Sequence, residues 1–170
     1  MKTINPILIL AVIFIGTAFR SRAQAGSELF KDLFQSYFQI KDALVKSEAE
    51  NASLHGGQLV AALDKMEMNK LGHEEHLAWM KVEKELKQDA KDLAGTKKIT
   101  RQREIFIRLS ENIYSLIKSS KPLEAVYYQH CPMANGGKGA HWLSKENPVK
   151  NPYYGASMLS CGRTVETIQQ

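Results

Sequence analysis

The chain reads as all-α, an up-down four-helix bundle followed by an irregular, loop-rich C-terminal segment. Three observations predict this. Four stretches carry apolar residues at spacings of three and four, and the connections between them are a few residues long. After Pro122 that periodicity gives way to glycines, prolines and both cysteines.

Residues 1–25 have the form of a secretory signal. Lys2 gives a basic start, residues 6–19 are an almost unbroken apolar run, and Ala23-Gln24-Ala25 is a small-x-small cleavage site. A spanning helix needs about 20 apolar residues. This run is shorter and is followed at once by Arg20 and Arg22, so cleavage after Ala25 is expected. The product is a periplasmic or secreted protein with no membrane span. The two cysteines, Cys131 and Cys161, are far from the cleavage point, which argues against a lipid anchor.

Removal of the signal takes three basic residues and no acidic one, leaving 20 Lys and Arg against 18 Asp and Glu. No dense basic run is interleaved with aromatics, so nucleic acid is set aside as a partner. Residues 26–170 are one domain by length.

The first helix is expected over about 27–47, capped by Ser27, with Phe30, Phe34, Tyr37, Phe38, Leu44 and Val45 inward and the stem of Lys41 interrupting them. The second, about 51–70, uses Leu54, Leu59, Ala62, Leu63 and Met66. Gly56 and Gly57 weaken it by about 1 kcal/mol each relative to Ala, unless their bare backbone permits close helix packing. The third, 73–94, places Leu77, Trp79, Met80, Val82, Leu86, Ala90 and Leu93 largely on one stripe. The fourth, 100–120, is capped by Thr100 and turns Phe106, Leu109, Ile113, Leu116 and Ile117 inward.

The segment 123–165 starts extended and then turns repeatedly. It holds His130, Cys131, Met133, His141, Trp142, Met158 and Cys161. Thiolate and thioether sulfurs are soft ligands that select Cu(I) over hard cations, and imidazole suits copper and zinc. His130-Cys131-Pro132-Met133 and the Met158, Cys161 pair therefore form a candidate sulfur-rich site, with His141 a further donor and Trp142 placed to shield an ion with its ring face. The competing reading is a Cys131–Cys161 disulfide, worth roughly 3–4 kcal/mol in the chain-entropy model. Spacing leaves both open.

Tyr128-Gln-His-Cys-Pro-Met-Ala134, Gly139-Ala-His-Trp-Leu-Ser144, Asn151-Pro-Tyr-Tyr-Gly155 and Met158-Leu-Ser-Cys-Gly162 together resemble the signature of the domain-of-unknown-function family 3347 (DUF3347). Lys41-Asp42-Ala43-Leu44-Val45 resembles it too. The family occurs as small exported bacterial proteins and as an appendage of membrane-fusion proteins in copper and silver efflux. Cys131-Pro132-Met133 and Cys161-Gly162 are also similar to pieces of the heavy-metal motifs of copper ATPases, without the His and the second Cys those motifs carry. The resemblance implies copper handling, an efflux membrane-fusion protein or another envelope metal-handling protein as partner, and Cys131, Met133, Met158 and Cys161 as the positions that matter.

His73 and His76 stand at i and i+3, unlike the His-Glu-x-x-His of zinc proteases, and read as a solvated first helical turn. His55 reads as a helix-surface residue. Tyr127, Tyr128, Tyr153 and Tyr154 read as packing of the C-terminal segment onto the helices. No Ser-His-acid arrangement, phosphate loop or zinc-hydrolase spacing is present in the sequence, and no enzymatic function is expected. The expected protein is an exported soft-metal binder, with a disulfide-stapled interaction module of the envelope as the alternative.

Overall fold

The computed structural model describes residues 29–169. The signal sequence and the Ser27 cap lie outside the described residues.

The first helix, α1 (Lys31–Lys46), buries Leu33, Tyr37, Phe38, Ile40 and Leu44. Lys41 is buried with them, its ammonium 2.5 Å from the Asp42 carboxylate. The helix stops at Ser47, which is left-handed (φ 59°). The Ser47 and Glu48 amides donate back to the Leu44 and Ala43 carbonyls at 3.1 and 2.9 Å, a closure that satisfies the final turn. The chain passes straight into α2 (Ala49–Asp64). This helix is shorter than the spacing predicts, because past Leu63 no residue up to Lys70 is buried and nothing in the core extends it.

The third helix, α3 (His73–Ala94), begins where expected, with the Glu75 carboxylate accepting from the Gly72 amide at 2.8 Å. The fourth, α4 (Ile99–Ser120), starts ahead of Thr100, which sits in the first turn and caps nothing. Instead the Gln102 amide donates to the carbonyls of Thr96 and Ala49 at 2.7 and 2.8 Å, joining α4 to the start of α2. Most of the expected apolar stripes are buried; Phe34, Val45, Ala62 and Met66 are half-buried, and Leu54, Leu77 and Met80 are exposed.

Consecutive helices pack on one another, α1 on α2, α2 on α3 and α3 on α4, while α1 touches α4 lightly. The class is mostly helical. The C-terminal segment corrects the expectation of an irregular tail: it forms a three-stranded antiparallel sheet in the order β2-β1-β3, made of β1 (Val126–Cys131), β2 (Ala140–Ser144) and β3 (Arg163–Ile168). Ala-His-Trp-Leu-Ser lacks an apolar-polar alternation because four of its five residues are buried, so both faces of β2 are covered.

Three polar contacts dock this sheet and its loops on the helices. The buried Tyr37 hydroxyl shares a hydrogen bond with Ser110 Oγ (2.8 Å) and accepts the Leu143 amide of β2 (3.0 Å). The Arg103 guanidinium donates to the carbonyls of Leu44 and Pro152 and to Ser47 Oγ, at 2.9–3.1 Å. On β3, Glu166 accepts from Tyr114 and Lys118, both at 2.6 Å.

The two adjacent glycines of α2 separate cleanly. A Cβ at Gly56 would lie 2.8 Å from Leu93 Cδ2 and 3.0 Å from the Ala94 amide, whereas one at Gly57 would meet open space. Gly56→Ala is expected to destabilise by about 1–3 kcal/mol through overpacking against α3 backbone. Gly57→Ala is expected to stabilise by about 0.5–1 kcal/mol through helix propensity alone. Urea unfolding of the two variants checks the opposite signs.

Candidate metal centre

Alternation along β1 sends successive side chains to opposite faces of the sheet, and this divides the donors. Gln129 and Cys131 point to the buried face and Tyr128 and His130 to the half-buried one. The first Cys sits at the end of a strand held on both sides, with Ala140 as its register partner. The second comes from the loop before β3.

The two sulfurs meet: Cys131 Sγ and Cys161 Sγ are 2.7 Å apart, and both residues are free thiols. Their hydrogen bond, then burial, raises the Cys161 pKa above its usual value. The sulfur also accepts the Met133 backbone amide, and the Cys161 amide donates to the Met158 carbonyl at 3.0 Å. All four sulfur-bearing residues expected from the sequence thus converge on one end of the sheet. The thioethers themselves are exposed, at 54% for Met133 and 36% for Met158, and are not enclosed with the thiols.

Cys161 is positioned by Asn151 and Gly162, to which the motifs by themselves assign no role. Asn151 is completely buried, and its amide donates to the Cys161 carbonyl at 2.9 Å while its Oδ1 accepts from the Tyr153 amide at 2.8 Å. Asn followed by Pro-Tyr is an Asx-turn signal, which was visible but pointed at no partner. Gly162, at φ 137°, lets the chain pass Trp142: a Cβ there would lie 2.7 Å from the His130 carbonyl and 2.9 Å from the Trp142 ring. That indole is buried, edge-on to Tyr153 at 5.8 Å, and its Nε1 has no partner among the described residues.

On the other face His130 and His141 are register partners on β1 and β2, their ring centroids 4.4 Å apart. The His141 ring stacks on Tyr128 (4.7 Å), which stacks on Tyr114 of α4 (4.1 Å). Burial, then the charge of His130, lowers the His141 pKa. Tyr153 donates its hydroxyl to the His141 carbonyl and Tyr154 donates to that of Met133, as packing residues would.

The six expected ligands are therefore two pairs and two peripheral thioethers. Among the described residues no three of His, Cys, Asp and Glu gather to hold an ion. A shallow depression lined by His130, Pro132, Cys161, Gly162 and Arg163 opens over the sulfur end. An apolar cleft of about 430 Å³ lies elsewhere, between Phe34, Phe38, Ile117, Pro122, Leu123 and Val126, and no candidate ligand lines it. His73 and His76 are exposed, as expected, and His55 bonds Gln58 on the surface of α2. No helix among the described residues is long and apolar enough to cross a membrane.

A family model described as "Protein of unknown function (DUF3347)" matches residues 33–125, more than half of the chain. The match contains the Lys41 to Val45 stretch and ends one residue before β1, so the donor-bearing motifs lie beyond it. No curated protein matches the chain, and no solved structure does.

The same sheet face carries a pH-sensitive tether. Hydrogen bonds from Lys118, then Tyr114, hold the Glu166 pKa below its usual value. A carboxylate depressed in the folded state contributes stability above its ordinary pKa of about 4.5, lost as pH falls through the folded value. Thermal unfolding of wild type and Glu166→Gln across pH is expected to show a gap above about pH 5 that narrows below about pH 4. A constant gap would exclude the tether.

Proposed function

The chain belongs to the DUF3347 family, and from that premise we propose that it is an exported, non-enzymatic metal-handling protein whose Cys131–Cys161 pair takes a soft ion, Cu(I) before others. The observation that carries this reading is the meeting of two free thiols at 2.7 Å, with Met133 and Met158 anchored on the same residue, Cys161. Thiolate with thioether is a donor set suited to Cu(I). The reading includes delivery to the envelope by residues 1–25 and exchange of the ion with an efflux membrane-fusion protein or similar metal handler. It also takes the four helices as an up-down frame, supported by their short connections.

Loading has a geometric requirement. Two sulfurs bound to one ion at about 2.3 Å each, at a tetrahedral angle, stand about 3.8 Å apart. The pair must therefore open by about 1 Å. Cys131 is buried in a paired strand, so the opening falls to Cys161, half-exposed and followed by Gly162. The thiol protons must leave on binding, and the raised Cys161 pKa makes affinity increase with pH.

The same 2.7 Å favours a second reading, in which thiol–disulfide exchange with another protein's disulfide takes two electrons and two protons and staples the loop. A bonded pair would be about 2.05 Å apart. The module would then recognise an envelope partner without metal.

Two measurements separate the readings. Mass analysis after alkylation of protein taken directly from the envelope reports free thiols or a disulfide. Cu(I) competition with a chelator on reduced protein is expected to give one ion per chain, tighter at pH 8 than at pH 6 by at least about tenfold. The Met133→Ala, Met158→Ala double variant is expected to weaken it by about tenfold or more. An unchanged affinity in the double variant sinks the thioether role, and a quantitative native disulfide with no Cu(I) uptake after reduction sinks the metal reading.

A further inference from the structure

We propose that His130 and His141 form a second metal site, distinct from the thiol pair and selective for a divalent, imidazole-preferring ion of the Cu(II) or Zn(II) class. The two side chains are register partners on adjacent antiparallel strands and project from the same face. Directly opposed Cβ atoms lie about 4.5–5.5 Å apart, and these ring centroids are 4.4 Å apart, tilted by 39°. An ion bound at about 2.0–2.1 Å by each of two imidazoles needs donor nitrogens roughly 3 Å apart, a separation these rings reach by rotating about their own bonds. Among the described residues neither imidazole has a hydrogen-bond partner.

Both rings are bounded by close neighbours. Gly139 is left-handed (φ 81°), and any Cβ there would run into His130 Nε2, so a side chain at this turn would displace the ring. His141 is held from the other side by Tyr128, itself backed by Tyr114. Preorganised ligands lose little freedom on binding. The exposed Arg163, register partner of His130 on β3, opposes a cation, and two protein donors leave the remaining positions to water. Micromolar affinity is the expected range, suited to an exchangeable ion.

The site is tested with Cu(II) on the mature protein after its cysteines have been oxidised or alkylated, which removes the thiols from competition. Calorimetry is expected to give one Cu(II) per chain, and electron paramagnetic resonance is expected to show nitrogen hyperfine structure from two imidazoles. His141→Phe keeps an aromatic ring on Tyr128 and removes the donor, and His130→Gln removes the other. Each is expected to weaken binding at least about tenfold, with circular dichroism and the unfolding midpoint of His141→Phe unchanged. His73→Gln with His76→Gln is expected to have no effect. Equal affinity in wild type and His141→Phe, or loss of binding in the His73, His76 variant instead, overturns the proposal. Cu(I) uptake by reduced His141→Phe reads the thiol site separately, so either site can fail without the other.

Discussion

The Tyr37 hydroxyl is the contact on which the placement of the sheet depends. It lies in a ring stack with Phe106 (5.1 Å) and against Phe38, sealed from solvent, and there it joins α1, α4 and β2 through Ser110 and the Leu143 amide. A buried amide left without an acceptor costs about 1–3 kcal/mol, so β2 has a strong preference for the one position that meets this oxygen. With Leu143 held there, β1 registers on β2 to bring Tyr128 opposite Leu143, His130 opposite His141 and Cys131 opposite Ala140. The chemistry-bearing strand is thus aligned by a hydrogen bond that involves none of its own residues.

The helices were legible because burial on one face leaves a period in the chain, and Phe106, Leu109, Ile113 and Leu116 follow it closely. The period says nothing about Leu54, Leu77 and Met80, which share the stripe but find no neighbour to cover them. The sheet was hidden for the opposite reason: β2 is covered on both faces, and β3 alternates in burial but sets Thr164 and Glu166, both polar, on its less exposed face, so neither shows an apolar-polar alternation in its sequence. Of the site, the donor types could be read from the sequence, as could the rivalry between ligation and a disulfide. Their division into a sulfur pair and an imidazole pair could not, since it follows from strand alternation. The work of Tyr37, Arg103 and Asn151 was equally invisible, because each acts across 10 to 106 residues of sequence.

The family match and the donor set occupy different parts of the molecule. The matched residues 33–125 are the helical frame, and every sulfur or imidazole ligand considered for metal stands after it. The frame reaches into the later segment at definite points. Arg103 spans the end of α1 and the Pro152 carbonyl, and a Cβ at Gly155 would strike Ser47, Arg103 and the Val45 carbonyl within 2.9 Å. A helical scaffold of this kind can keep its shape while the residues laid over it vary, provided those anchoring points are kept.

The order of residues along the chain has its own consequence for biogenesis. Cys131 ends a central strand whose two neighbours, β2 and β3, both follow it, and its sulfur partner arrives thirty residues later. While the polypeptide emerges from N- to C-terminus, the helices can assemble first, but Cys131 has neither flanking strand nor companion thiol. For that interval it is an isolated thiol, open to exchange with any disulfide nearby, which would leave it in a mixed disulfide and release the other sulfur as a thiol. Faithful maturation then rests on β2 reaching the waiting Tyr37 quickly enough to bury the sulfur before a stranger finds it.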